Sequence, residues 1–122
     1  MSNVRTSDVL DEGNLSALRE FGREPGVLLQ EMARDFLVEA PSLMAEIEEA
    51  VGEGEYATAG RAAHRLKGAS GHMGATRVAA VASEVESLSK DGISEAMASA
   101  TTTARAEVEL AVAAVRVLEG RR

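Results

Sequence analysis

The sequence has no cysteine and no tryptophan, and it has very few prolines and aromatic residues. The absence of cysteine excludes disulfides and thiolate metal sites. The only aromatic residues are Phe21, Phe36 and Tyr56, so a core must be built from many small contacts, which closely packed helices supply. Because proline occurs only as Pro25 and Pro41, long stretches of the chain are free to form helix.

Other absences concern strands, membranes and nucleic acids. The valines lie among alanines and glutamates and do not alternate with polar residues, so strands are not predicted. No run approaches the roughly 18 apolar residues that span a bilayer, and residues 1–10 lack the layout of a secretion signal. A formal net charge of −7 argues against non-specific binding to nucleic acid. We therefore expect a cytoplasmic protein that binds neither membrane nor nucleic acid.

The length of 122 residues fits one domain, and the pattern of apolar residues predicts an all-α fold. We expect a single domain over residues 1–122, flexible at 1–9, with a bundle over about 25–119. The apolar spacing predicts helices at residues 10–21, 25–51, 55–70, 75–90 and 93–118. The first of these is a short additional N-terminal helix. Short connections between long helices favour antiparallel neighbours, so the others are predicted to form an up-and-down four-helix bundle.

Pro41 lies inside the predicted helix at residues 25–51. It interrupts the backbone hydrogen bonding of that helix without changing the phase of the apolar residues. A kinked single helix and two abutting helices both fit this pattern.

The segment around His64 has an unusual exposed face. On a helical wheel, residues 59, 62, 63, 66, 69 and 70 form a face of mostly small side chains that fits a core. His64 lies at the centre of the opposite face, with Gly60 and Gly68 one turn to either side. Each glycine inside a helix costs about 1 kcal/mol relative to alanine. The absence of side chains on both sides of one exposed imidazole indicates that another macromolecule approaches this imidazole closely.

Charge distinguishes the same segment. No acidic residue lies between residues 56 and 83, although the chain has 20 of them. The cations of this stretch are Arg61, Arg65, Lys67 and Arg77. Lys67 follows His64 by three residues and so shares its face of the helix. Cations there would stabilise the oxygens of a phosphoryl group. They would also disfavour the imidazolium form of His64, which would keep the ring neutral and nucleophilic.

Each feature also has an ordinary structural interpretation. A lone histidine or a basic stretch is usually a solvated helix face, and glycines can serve close packing of helices. Their coincidence around one residue favours a functional His64. Ser70 falls toward the core side and is interpreted as a packing residue.

The other candidate sites are weaker. His72 lies eight residues after His64, roughly 12 Å along a helix, too far to share a metal ion, and we interpret it as a loop residue. Gly68, Gly71 and Gly74 superficially suggest a phosphate-binding loop. No strand precedes them and no Gly-Lys-Ser/Thr sequence follows, so a nucleotide site is not predicted.

Residues 63–75 resemble the signature of histidine-containing phosphotransfer (HPt) domains. They read AHRLKGASGHMGA, and the family signature is A-H-x-L-K-G-x-S-x-x-x-G-A. Residues 10–51 are similar to the opening helices of the family, including a proline at Pro41, and residues 75–118 are similar to its closing hairpin. The resemblance covers nearly the whole chain and implies an antiparallel four-helix bundle.

The resemblance also implies roles for individual residues. His64 would accept the phosphoryl group, Lys67 would assist the phosphate, and Gly68 would leave the gap in which a receiver domain docks. Gly74 and Ala75 would shape the turn into the next helix. Further candidates for contact with the receiver are Gly60, Gly71, Arg61, Arg65 and Arg77, with Arg61 the nearest of the arginines to His64 on the wheel. Members of the family have no ATP site and no cofactor of their own, and any Mg²⁺ belongs to the receiver.

The sequence therefore predicts a phosphocarrier, not an enzyme, in a two-component phosphorelay. His64 would take a phosphoryl group from a receiver phosphoaspartate and pass it to another receiver aspartate. The expected partners are response-regulator receiver domains and a hybrid histidine kinase, and we expect a monomer. The sequence leaves open whether the chain is freestanding or a segment of a longer kinase.

Two other classes of function were considered. A helical adaptor that binds receivers or kinases without carrying phosphate would have no reason to keep both His64 and Lys67. A metal or cofactor bundle lacks ligands, because its two histidines are far apart and neither belongs to a carboxylate-x-x-His pair.

Overall fold

The computed structural model describes residues 6–21, 24, 26–92 and 94–120. Over these residues it contains six helices and no strand, so the predicted all-α class is confirmed. The helices are α1 (Thr6–Val9), α2 (Glu12–Glu20), α3 (Val27–Gly52), α4 (Tyr56–Met73), α5 (Thr76–Asp91) and α6 (Ser94–Gly120). None of these helices has the length and hydropathy needed to cross a membrane.

The four long helices enclose the core. Helix α3 packs against α4 and α6, and α5 packs against the same two helices. Phe36 is the single buried aromatic residue of the described chain, whereas Phe21 is 65% exposed at the end of α2. The largest fully buried side chains also include Leu15, Met44, Ile47, Leu66, Met73, Met97, Val78, Val85, Val108 and Val115. The interior therefore consists almost entirely of aliphatic side chains and methionine, as the composition predicts.

Helix α3 continues through Pro41 as one helix of 26 residues. Of the two arrangements that the sequence allowed, the single helix is the one found. Ala40 is fully buried and Leu43 nearly so, which shows that the apolar phase is preserved across the proline. Pro25 and Ile93, where two helices were predicted to begin, lie outside the described residues.

The turn between α4 and α5 is closed by Gly74. Its φ of 78° is a left-handed conformation that favours glycine. The Ala75 N–H donates to the Ser70 carbonyl at 2.8 Å and the Gly74 N–H donates to the Gly71 carbonyl at 3.1 Å, which is a Schellman motif. Helix α4 therefore ends three residues later than predicted. His72 lies in its last turn, so the interpretation of His72 as a loop residue is wrong.

The N-terminal segment contacts the bundle. Val9 and Leu10 are 2% and 1% exposed, and α1 packs on α6. The Asp11 N–H donates to the Gly74 carbonyl at 2.8 Å, and Asn14 Nδ2 donates to the carbonyl of His72 at 3.0 Å. The flexibility expected for residues 1–9 stays a prediction, and residues 1–5 lie outside the described residues.

Candidate functional site

His64 lies near the middle of α4 and points to solvent. Its side chain is 65% exposed, whereas Ala63 and Leu66 on the opposite side of the helix are fully buried. Ala59 and Ala62 continue the buried face, as the helical wheel predicted. The predicted exposure of His64 is therefore confirmed, and it follows from the spacing of the small apolar residues.

A carboxylate on the neighbouring helix joins His64 and Lys67. The Nδ1 atom of His64 lies 2.9 Å from Oε2 of Glu86, and Nζ of Lys67 lies 3.1 Å from Oε1 of the same residue. Glu86 belongs to α5, and its side chain is 21% exposed. The structure thus brings together the two residues that the sequence singled out, and it adds a third.

Glu86 was not among the predicted site residues. Charges near His64 along the chain did not indicate it, because it follows 22 residues later on another helix. One signal was present, because Glu86 directly follows the buried Val85 and so borders the face of α5 that packs on its neighbours. Only the pairing of α4 with α5 shows that this carboxylate reaches His64.

Glu86 changes the electrostatics expected for the site. Its hydrogen bond from Lys67 lowers the pKa of the Glu86 carboxyl, with a further lowering from His64 and an opposing effect of desolvation. Glu86 is therefore an ionised carboxylate near neutral pH. The prediction that only cations surround His64 is corrected, because one anion contacts both candidate side chains, His64 and Lys67.

The same carboxylate determines which ring nitrogen is available. An ionised carboxylate can only accept hydrogen bonds, so Nδ1 of His64 carries the proton and donates it to Glu86. In the neutral form of the ring, the lone pair then resides on Nε2. Within the described residues no side chain is hydrogen-bonded to Nε2. The imidazole therefore presents a nucleophilic nitrogen to solvent.

The glycines near His64 have two different structural roles. Gly60 is buried, and a Cβ added to it would lie only 2.9 Å from Cβ of Ser89 on α5, with the Ser89 hydroxyl closer still. The predicted place of Gly60 on an open docking face is therefore wrong; it allows α4 and α5 to approach closely. Gly68 and Gly71 are exposed, and a Cβ on either would meet nothing within 4 Å. These two leave the surface beside His64 bare.

A shallow groove between α4 and α5 runs along one side of His64. Its walls include Gly60, Arg61, His64, Glu86, Ser89 and Lys90. Arg61 is exposed and donates from Nη2 to the Thr58 hydroxyl at 3.2 Å. Lys90 was not among the predicted site residues, and it adds a third cation to this groove, beside Arg61 and Arg65.

The other predicted cations differ in position. The Arg65 side chain is 66% exposed and lines the groove beside His64, and its Nη1 lies 3.9 Å from Oε1 of Glu46. Arg77 is occupied elsewhere, because its Nε lies 2.7 Å from Oε2 of Glu107 on α6. Arg65 therefore belongs to the site, whereas Arg77 links α5 to α6.

The remaining polar candidates carry no site. Ser70 is fully buried, as predicted. Its position in the α4–α5 turn fits a packing residue. In the part of the chain that the structure describes, no three His, Cys, Asp or Glu side chains come together as a metal site requires.

An all-helical bundle in which the exposed His64 lies beside a lysine and two bare glycines has the features of a histidine phosphocarrier. The family model described as "Hpt domain" matches residues 31–117, which is more than half of the chain. The chain belongs to the Hpt domain family. Searches of curated proteins and of solved structures gave no significant match.

Membership gives the general function of the chain. Hpt domains act in histidine phosphotransfer in two-component phosphorelays, where they interact with receiver domains and kinases. They are phosphocarriers and not enzymes with an ATP site of their own.

Proposed function

We propose that this protein accepts a phosphoryl group on Nε2 of His64 from a receiver phosphoaspartate and passes it to an aspartate of another receiver. The observation that carries this proposal is the exposed imidazole whose Nδ1 is bonded to Glu86 at 2.9 Å. A fixed ring with its second nitrogen open to solvent is what an in-line attack on a phosphorus atom requires.

The transfer needs no separate acid or base on this chain. The Nε2 lone pair of His64 forms a bond to phosphorus while the bond from phosphorus to the aspartate oxygen breaks, and the electron pair leaves with the carboxylate. The Nδ1 proton stays in place and donates to Glu86 throughout. In the onward step the bond from Nε2 to phosphorus breaks, and the electron pair returns to Nε2.

Lys67 is proposed to stabilise the oxygens of the phosphoryl group. It lies one turn after His64 on α4 and is bonded to the carboxylate that also binds the imidazole. An ammonium near a transferring phosphoryl group favours the transition state because it neutralises charge on the oxygens.

The docking surface is proposed to be the exposed side of α4 around His64. Gly68 and Gly71 leave room for the receiver on one side. Arg61 and Arg65 lie on the other side, where they can contact the acidic groups that surround a receiver aspartate. Gly60 contributes indirectly, because it sets how closely α5 and Glu86 approach.

The arrangement of the whole molecule is proposed to be an antiparallel up-and-down four-helix bundle of α3 to α6. The contacts of α3 and α5 with both α4 and α6 support a closed ring of four, and short connections favour antiparallel neighbours. We further propose a monomer that acts in the cytoplasm with receiver domains and a hybrid kinase. Any Mg²⁺ that the transfer needs would be bound by the receiver.

The experiment uses receiver domains phosphorylated with acetyl phosphate as donors. The protein should gain an acid-labile, base-stable label, and His64→Gln should remove it while helical content, measured by circular dichroism, stays unchanged. His72→Gln is the matched control, because His72 is the other histidine of α4 and is also exposed. It should be labelled like the wild type.

Two results would contradict the proposal. A label that persists in His64→Gln would assign the phosphoryl group to another residue. Receiver binding with no label on the wild-type protein would favour the adaptor function instead.

A further inference from the structure

Lys67 is already bonded in the unphosphorylated protein. Its ammonium lies 3.1 Å from Oε1 of Glu86, while the other oxygen of that carboxylate is bonded to His64. A phosphoryl group on His64 would bring oxygens with nearly two negative charges next to the same ammonium. Two anions would then compete for one lysine.

Building on the function proposed above, we propose that Lys67 exchanges between Glu86 and the phosphoryl group, and that Glu86 thereby sets how readily His64 gives up its phosphoryl group. Phosphorylation of Nε2 draws the Lys67 ammonium to the phosphoryl oxygens, because a group with nearly two negative charges attracts an ammonium more strongly than a carboxylate with one. Glu86 keeps the Nδ1–H of His64. Onward transfer removes the dianion, and Lys67 returns to Glu86.

The direction of the effect follows from the charges. Glu86 stabilises the unphosphorylated protein through Lys67, and its negative charge repels the phosphoryl oxygens in the phosphorylated protein. Both effects favour release of the phosphoryl group. The cations of the groove, Arg61, Arg65 and Lys90, are present in both states, so they do not cancel this difference.

Glu86→Gln separates charge from hydrogen bonding. The amide oxygen of glutamine can still accept the Nδ1–H of His64, but it holds Lys67 less strongly and does not repel a dianion. Glu84→Gln is the matched control, because Glu84 is an exposed glutamate on the same helix and, among the described residues, is not bonded to His64 or Lys67.

The first measurement is the equilibrium of phosphotransfer with one receiver domain, approached from both directions. Glu86→Gln should shift this equilibrium toward the phosphorylated form of this protein by a factor of about 3 to 10, which is the effect expected for one partly exposed charge close to the phosphoryl group. Glu84→Gln should leave it within about twofold of the wild type. In a Lys67→Ala background the effect of Glu86→Gln should be smaller. An unchanged equilibrium, a shift toward the receiver, or an equal shift in Glu84→Gln would overturn the proposal.

The second measurement needs no receiver. The protein is phosphorylated with phosphoramidate, and the carboxyl carbon of Glu86 is followed by NMR at weakly alkaline pH, where phosphohistidine is stable. Its chemical shift should change on phosphorylation of the wild type, because Lys67 leaves the carboxylate, and it should change much less in Lys67→Ala, where there is no lysine to leave. Equal changes in the two proteins, or no change in the wild type, would disprove the exchange, even if receivers transfer normally. A change that requires Lys67, without any transfer from receivers, would support the exchange and contradict the proposed phosphorelay. Failure of phosphoramidate to label His64 would contradict both, because both require an Nε2 that is open to a phosphoryl donor.

Discussion

The Nδ1 atom of His64 on α4 lies 2.9 Å from Oε2 of Glu86 on α5. This contact depends on the distance and register between two helices, and Gly60 permits that distance because a side chain there would collide with Ser89. The chemistry of the exposed imidazole is thus linked to the packing of the bundle beneath it. The predictions that follow test this link, the neighbouring residues and one ion pair elsewhere in the bundle.

The tautomer of His64 should depend on Glu86. In the wild type, ¹⁵N NMR of the ring should show the proton on Nδ1, because the ionised Glu86 accepts it. Glu86→Ala should give a mixture in which Nε2–H is common, since that tautomer prevails in free imidazole side chains. Glu86→Gln should stay close to the wild type. Equal tautomer ratios in all three proteins would show that Glu86 does not orient the proton.

Lys67→Ala should slow phosphotransfer more than it weakens receiver binding. The lost ammonium stabilises charge on the transferring phosphoryl group, so a decrease in rate of about tenfold or more is expected. Stopped-flow transfer rates and binding by calorimetry measure the two effects separately. Lys90→Ala removes a cation of the groove beside His64, one that has no bond to Glu86 among the described residues, and should change the rate much less. Equal rates for Lys67→Ala and the wild type would remove the proposed role.

Gly60→Ala and Gly68→Ala should have opposite effects on the free energy of unfolding. Both gain helix propensity of up to about 1 kcal/mol. At Gly68 the added methyl meets open space, so the variant should be more stable. At Gly60 it collides with Ser89 on α5, and overpacking should cost about 1–3 kcal/mol. Urea unfolding measures both, and a stabilised Gly60→Ala would contradict the close approach of α4 and α5.

Gly68→Gln should weaken receiver docking without unfolding the protein. The side chain would fill the bare surface one turn after His64, where no atom of the protein lies within 4 Å of an added Cβ. Gly52→Gln at the end of α3 is a control, because that glycine is also open. Affinity for a receiver should fall only in Gly68→Gln. A normal transfer rate and affinity in that variant would place the docking surface elsewhere.

The ion pair between Glu48 on α3 and Arg105 on α6 should contribute a small stability that depends on pH. The hydrogen bond from Arg105 lowers the pKa of Glu48 in the folded state. The ion pair therefore stabilises the fold fully at pH values above the ordinary carboxyl pKa. This stabilisation is lost as the pH falls through the lower pKa of the folded state. Both side chains are about a third exposed, so Glu48→Gln should cost no more than about 1 kcal/mol near pH 7.

This cost of Glu48→Gln should vanish at pH values below the folded-state pKa, where the wild-type carboxyl is protonated. Unfolding in urea at several pH values provides the measurement. A cost that stays constant down to the most acid pH would assign the effect to packing and not to charge.

The fold class and the exposure of His64 could be predicted because each follows from periodicity within one helix. The small residues at 59, 62, 63 and 66 fix one face of α4 as buried, and His64 must then face away. The place of Lys67 one turn later follows in the same way. Such inferences need only the geometry of a single helix.

Other features depended on how the helices meet. A helical wheel does not show whether a glycine faces a partner protein or another helix. Gly60 and Gly68 were both predicted to be exposed, but only Gly68 is, whereas Gly60 is buried against α5. The apolar residues Val9 and Leu10 could not be assigned to the core from a short polar segment.

The sequence by itself determined that this chain is helical and that one imidazole stands on an exposed face with Lys67 and Gly68 beside it. Only the tertiary structure decided that Glu86 holds both His64 and Lys67, and that Gly60 serves the packing of α4 on α5. The physical reason is that the backbone of one helix sets the spacing of its side chains. Contacts between helices depend on the register and separation of the two helices. The residue pattern of either helix alone does not determine these.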